Sequence, residues 1–205
     1  MITKICVTGG IGSGKSVVCR ICALKGVPVY DCDSRAKDLM QTDPELRAFL
    51  IGLVGPEVFD CDGLLNRRLL SDAIFGNERL RIEVEREVHA AVRRDINAWL
   101  DLLEQGCADG LPPKAAVIET AIPRKAFIDK MVDTIWVVCA PRQTRVERVM
   151  ARSALSREQV YSRMATQDTE FLRLPTDKTI YISNTGSDPL LPQVHSLLKP
   201  YLGVQ

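Results

Sequence analysis

A chain of 205 residues with 46% hydrophobic and 26% charged side chains can bury a core without disulfides or a structural metal, and is too apolar for global disorder. Its 27 basic and 26 acidic residues leave a formal charge of +1, which excludes a global electrostatic bias toward nucleic acid or an anionic membrane. No uncharged run approaches the ~20 residues of a membrane span, and no charged, apolar and cleavable segment precedes the first motif. The expectation is a cytoplasmic protein of one domain, with neither nucleic acid nor membrane as partner. Seven cysteines are an odd, scattered set, which reads as reduced thiols. Cys19 and Cys22 form a lone CxxC, but the two histidines, His89 and His195, lie far away in sequence. Two small apolar residues on one helix face is the expected reading.

The elements alternate. Ile2 to Val7 is β-branched and ends at glycines, a strand signal, and Lys15 to Lys25 reads as a helix stopped by Gly26. Val27 to Tyr30 is a short strand running into Asp31-Cys32-Asp33. Helical pieces are expected over Ser34–Met40, Pro44–Leu53, Asn66–Phe75 and Glu78–Gln105, with no strand among them. Gly106 to Pro113 is a loop, Ala115–Ile118 and Thr134–Cys139 are the continuous apolar runs of a sheet buried on both faces, and helices follow from Gln143 and Arg157. Thr179–Ile182 is a last strand, and Pro189 to Leu202 a terminal helix interrupted by Pro192. This alternation predicts a parallel α/β sheet, with a helical insertion over about residues 34–105.

Gly9-Gly10-Ile11-Gly12-Ser13-Gly14-Lys15-Ser16 matches G-x-x-x-x-G-K-[ST] between a predicted strand and a predicted helix. Glycines let the backbone wrap so that successive N–H groups face phosphate oxygens. The helix adds its N-terminal N–H groups, including that of Val17, and the positive end of its dipole. Lys15 supplies a compact cation to the β- and γ-phosphates and the Ser16 hydroxyl a ligand for magnesium. The motif therefore predicts a nucleoside triphosphate with Mg2+. No guanine-reading N-K-x-D is present, which argues against a GTPase switch.

A small kinase also needs an orienting group for its acceptor and arginines around the transferring phosphoryl. Asp31 and Asp33 follow the second strand; in extended backbone both carboxylates would share one side at the carboxyl edge, where open α/β sheets bind ligands. One of them could take a hydroxyl proton. Equally, Asp33 could cap a helix starting near Ser34. Arg142, Arg145, Arg148, Arg152, Arg157 and Arg163 form a lysine-free cluster in which Arg145, Arg148 and Arg152 share one helix face. Guanidinium groups suit polyphosphate, although a solvated face accounts for many single arginines. His89 by itself reads as a polar residue in an amphipathic helix.

Taken together, these pieces resemble the dephospho-coenzyme A kinases. The resemblance rests on Val7 to Ser16, on Tyr30-Asp31-Cys32-Asp33 with Ala36, and on Asp62-Gly63-Leu64-Leu65-Asn66-Arg67-Arg68 leading to Ile74-Phe75. His89, Arg148, Arg152, Gln167 and Asn184-Thr185-Gly186 continue it in order. It implies a P-loop NTPase three-layer sandwich with a parallel sheet, a helical acceptor-binding insertion and a small lid over about 142–167. It also implies MgATP-dependent phosphorylation of the ribose 3′-hydroxyl of dephospho-coenzyme A.

By that resemblance Asp33 is the base at the acceptor hydroxyl and Arg148 a transition-state stabiliser in a lid that includes Arg145 and Arg152. ATP would meet Gly10, Ile11, Gly12, Ser13, Gly14, Lys15, Ser16 and Val17, with Asn184 and Gly186 near its adenine. The acceptor would meet Thr8, Asp31, Asp33 and His89. Two stretches depart from the family pattern: His-Pro is His89-Ala90, and Pro-Leu-Leu-Phe-Glu is Ala121-Ile122-Pro123-Arg124-Lys125. A nucleoside or nucleotide kinase of the same fold, and a nucleotide-binding regulator without acceptor chemistry, are the alternatives.

Overall fold

The computed structural model describes residues 1–106, 111–171 and 173–202. Five strands, β1 (Thr3–Thr8), β2 (Val29–Asp31), β3 (Ala115–Glu119), β4 (Thr134–Cys139) and β5 (Thr179–Ser183), form one sheet in the order β2-β3-β1-β4-β5. Every pairing is parallel. The register sets Val7 beside both Glu119 and Trp136, and Val138 beside Ile182. This is the open α/β sheet that the alternation of elements predicts. The order reverses around β1, the switch point at which such sheets bind ligands.

The central strands are largely apolar, and helices α1 (Lys15–Leu24) and α8 (Leu190–Leu198) pack on one face of them. Ile5, Val7, Val117, Trp136, Val138 and Ile182 of the sheet pack with Val18, Cys19, Cys22, Val194 and Leu198 of these helices. Cys19 and Cys22 are therefore core residues, and burial pushes the Cys22 thiol up to about 11. The CxxC is two packed residues on one helix face, as its spacing suggests. Pro192 does not interrupt α8, as the sequence reading had it, but occupies its first turn. There the missing N–H takes no helical bond away.

The chain divides into two compact units, residues 1–31 with 100–205, and residues 32–99. The second is helical: α2 (Cys32–Thr42), α3 (Pro44–Val54), α4 (Arg67–Ile74) and most of α5 (Glu78–Gln105). Its core gathers Leu50, Val58, Phe59, Leu65, Leu70 and Val84. Asp43 caps α3 through Leu46 N–H and Asn66 caps α4 through Leu69 N–H, each worth about 1 kcal/mol. Between them the chain reverses at Gly63, φ 75°, whose carbonyl accepts from Gln41 at 2.6 Å and Arg47 at 3.0 Å. The Asp62–Arg68 motif is thus a turn followed by a capped helix. Arg35 holds Asp95 through two nitrogens at 2.9 and 2.8 Å.

The first unit also carries α6 (Arg142–Arg152) and α7 (Arg157–Phe171). Val146, Val149, Val160 and Met164 close a small core between them, with Ile11 packed against it. The loop read over Gly106–Pro113 falls partly on residues 107–110, outside the described residues. Among those described, no helix is long and apolar enough to cross a membrane.

Candidate active site

The first unit assembles one site around the segment between β1 and α1. Gly12 (φ 79°) and Gly14 (φ 100°) take the left-handed conformation, which L side chains avoid. Space excludes a side chain as well: a Cβ on Gly12 would meet the Arg145 backbone, and one on Gly14 the Asn184 amide. The Ser13 N–H donates to the Gly10 carbonyl at 3.1 Å, and the Lys15 ammonium donates back to the Gly9 carbonyl at 2.8 Å. The loop is wrapped around a concave run of backbone at the N-terminus of α1, a form that suits phosphate.

One expectation needs correction here. The Val17 N–H is not an unpaired helix-end donor, since it bonds the Gly14 carbonyl at 3.0 Å. The first turn of α1 is tightened in the manner common at helix ends. Ser16 is exposed in that turn, whereas Thr8 and Ser13 are buried and their hydroxyls have no partner. Two orphaned hydroxyls, one just before the loop and one within it, are polar groups that a ligand can satisfy.

The arginine-rich helix α6 lies on this loop. Arg145 Nε donates to the Ile11 carbonyl at 3.0 Å. Arg148 reaches the Gly12 carbonyl at 3.5 Å and the Asn184 carbonyl at 3.3 Å. Asn184, just past β5, donates through its side chain to the Ser13 carbonyl at 2.7 Å and through its backbone to Cys139. Two guanidinium groups and Asn184 thus converge on Gly10 to Gly14. Arg152 stands exposed in the last turn of α6, and Gly186 keeps a positive φ of 99° in open space.

Asp31 and Asp33 are both exposed, but not on a common strand. The expectation that alternation sets both carboxylates on one side is wrong, because β2 ends at Asp31 and the backbone is helical from Cys32. The same boundary removes the capping reading, since Asp33 sits inside the first turn of α2. His89 is half-buried on α5, one turn from Glu85 and from Arg93.

Sequence reasoning missed Glu119. It closes β3 beside Val7, and the Cys19 thiol, one turn past Ser16, donates to its carboxylate. Burial first, then that carboxylate, push the Cys19 thiol far above its ordinary value. The signal was available as a carboxylate ending an otherwise apolar strand run. The departure at Lys125 also has a structural counterpart. Glu170 of α7 accepts from the Arg124 and Lys125 N–H groups at 3.0 Å each, so a carboxylate reaches this loop from elsewhere in the chain.

The family model for dephospho-CoA kinase, CoaE, matches residues 3–188. The chain belongs to the dephospho-CoA kinase family. It is 39% identical over 202 residues to the dephospho-CoA kinase of Porphyromonas gingivalis, covering 97% of this chain and 94% of that one. It is 36% identical over 198 residues to that of Bacteroides fragilis, with 97% and 92% covered. A crystal structure of TT1252 from Thermus thermophilus superposes with a TM-score of 0.77 at 29% identity, covering 99% of both chains. For the dephospho-CoA kinase of Campylobacter jejuni the TM-score is 0.63 at 20% identity, over 98% and 97%, a likeness of fold. The fold class expected from the resemblance is the one observed.

Proposed function

We propose that this member of the dephospho-CoA kinase family transfers the γ-phosphoryl group of ATP to the ribose 3′-hydroxyl of dephospho-coenzyme A, giving coenzyme A and ADP. The observation that carries the reading is the phosphate loop with Arg145 and Arg148 drawn onto it, in a chain matching the family over nearly its whole length. Lys15 would leave the Gly9 carbonyl for the β- and γ-phosphates. Arg148 would turn its two-pronged donor set from carbonyl oxygens to phosphoryl oxygens, where charge grows in the transition state.

Asp33 is assigned the acceptor: its carboxylate takes the 3′-hydroxyl proton as that oxygen attacks phosphorus in line. Thr8, Asp31 and His89 are assigned to acceptor binding, and Asn184 and Gly186 to the adenine side of ATP. The arginine-rich stretch over about 142–167 is assigned as the lid, and the helical insertion over about 34–105 is assigned to the acceptor. Catalysis on this reading is mainly positioning and electrostatics.

Magnesium would accompany the triphosphate. The residues fit a hard cation that keeps most of its ligands from water and phosphate. Ser16 presents an exposed hydroxyl at the loop, and the Glu119 carboxylate lies within a hydrogen bond of Cys19, one turn further along α1. Bound there, the ion would offset negative charge on the β- and γ-oxygens. Ser16 would supply the protein's ligand through its hydroxyl.

The test is ADP release by the purified chain over a panel of hydroxyl acceptors. Stimulation by dephospho-coenzyme A, and formation of the 3′-phosphate, is the expected result. Stimulation by nucleosides or nucleotides instead would assign a different kinase activity, and release indifferent to every acceptor would leave only nucleotide binding.

A further inference from the structure

Gln167 enters the resemblance as one residue among several, with no role attached. Its side-chain oxygen accepts the Ile11 N–H at 2.7 Å, across 156 positions of sequence. Ile11 is therefore gripped at three points. Gln167 of α7 takes its N–H, Arg145 of α6 donates to its carbonyl, and its side chain packs on the apolar core shared by both helices. On either side of it, a Cβ on Gly10 would strike the Arg145 guanidinium and one on Gly12 the Arg145 backbone.

The Ile11 N–H and C=O lie on neighbouring peptide planes linked by a single Cα. Fixing the first limits the rotation of the second, and the second anchors the Arg145 guanidinium. Glu170, three residues on and so on the same face of α7, holds the Arg124 and Lys125 N–H groups. One face of α7 thus pins the loops leaving two adjacent strands, β1 and β3.

We propose that Gln167 is a positioning residue for phosphoryl transfer: by accepting the Ile11 N–H it sets the peptide that orients Arg145, and so aligns the phosphate loop with the arginine face of α6. The proposal rests on the reading of this loop as the triphosphate site. Toward Ile11 it is an acceptor, and its amide neither ionises nor carries charge, so chemistry is not its task. Two substitutions separate its acceptor oxygen from its bulk. Gln167→Met keeps the length and loses the acceptor, whereas Gln167→Glu keeps an acceptor at the same reach.

The experiment compares steady-state kinetics, calorimetric MgATP affinity and melting temperature for the wild-type chain and both variants. In Gln167→Met, kcat/KM for ATP is expected to fall at least tenfold, with KM for dephospho-coenzyme A unchanged within twofold. Gln167→Glu is expected to hold the wild-type melting temperature and kcat, its added negative charge weakening only the affinity for MgATP. A Met variant within twofold of wild type in all constants would overturn the proposal. So would equal losses in both variants that track a lowered melting temperature, since that marks a structural role. A wild-type chain that bound no MgATP would overturn the function reading and this inference with it, whereas normal wild-type binding with an indifferent Met variant removes Gln167 alone.

Discussion

Asn184 and Ser13 stand 171 positions apart in sequence, and the Asn184 side-chain amide donates to the Ser13 carbonyl at 2.7 Å. The same residue donates its N–H to Cys139 at the end of β4 and receives Arg148 on its carbonyl. Asn184 thus ties β4, the phosphate loop and α6 at one point. Asn184→Ala removes the link to Ser13 and spares the two backbone links. Loss of such a bond, with a carbonyl left short of a donor, costs about 1–2 kcal/mol. The expected result is a lowered melting temperature at that cost, with weaker ATP affinity by calorimetry as the loop loses its tie to Asn184. Unchanged affinity would place the adenine side of the site elsewhere.

Lys15→Ala tests the loop directly. The Lys15 ammonium donates to the Gly9 carbonyl, and its charge serves phosphate on the proposed reading. Removing one preorganised electrostatic group costs on the order of 3–4 kcal/mol in the transition state. Turnover is expected to fall by at least two orders of magnitude, at that cost. The circular dichroism spectrum should remain that of the wild type. Near-normal turnover would sink the assignment.

For Asp33 the helix boundary sharpens the test. Inside the first turn of α2, a carboxylate gains about 0.3–1 kcal/mol from the helix dipole, and Asp33→Asn forfeits that much stability whatever else it does. As a base, Asp33 would also be irreplaceable by an amide, which cannot take a proton. The variant is expected to lose turnover at least a hundredfold, with ATP affinity within threefold of wild type. A small drop in melting temperature with activity retained would return Asp33 to a structural role.

Buried thiols give a stability profile at high pH. Burial holds Cys22 at about 11, and burial with the neighbouring Asp129 charge holds Cys6 at about 12. Cys19 lies higher still, through burial and Glu119. In the unfolded chain each titrates near its ordinary value of about 8.5. Above that pH the unfolded state has released protons that the folded state keeps, so stability falls as pH rises. The slope approaches ~1.4 kcal/mol per pH unit for each such thiol. Below pH 8 the three thiols contribute no pH dependence. Urea unfolding at pH 7.5 and pH 10 checks this, and Cys22→Ala should show a smaller difference between the two. An equal difference in that variant would remove Cys22 from the account.

Period and punctuation made the scaffold legible in the sequence. The strand runs show themselves as short β-branched or apolar stretches, two of them buried on both faces, and the helix from Glu78 to Gln105 by 3.6-residue spacing. The phosphate loop was legible because its chemistry demands local residue types: glycines where φ is positive and lysine at a fixed offset. What remained hidden was tertiary. Cys32 passes for the middle of an extended Asp-x-Asp, and only the observed helix start shows that Asp31 and Asp33 differ in backbone. Nothing local marks Gln167 or Glu170 of α7 as partners of Ile11 and of the loop after β3, since those bonds span 156 and about 45 positions. Glu119 was overlooked for another reason: it ends a run read for hydrophobicity alone.

The final test concerns Arg148, whose guanidinium touches two carbonyls at once, those of Gly12 at 3.5 Å and Asn184 at 3.3 Å. Both contacts are at the long end of hydrogen-bond range, so little is lost in releasing them. A planar group spanning two oxygens can exchange them for two phosphoryl oxygens without changing its own shape. Arg148→Lys keeps the charge, but an ammonium is a point donor on a flexible stem and cannot reproduce the fork. The expected effect is a fall in turnover of at least tenfold, about 1.4 kcal/mol in the barrier. ATP affinity should change by less than threefold, because the contact strengthens only as charge develops on the transferring group. An arginine serving a solvated face would accept lysine within ~0.5 kcal/mol of stability and with full activity. Turnover and melting temperature measured on the same preparation separate the two. Wild-type rates in the lysine variant would take Arg148 out of the site and leave Arg145, held on the Ile11 carbonyl, as the arginine to test next.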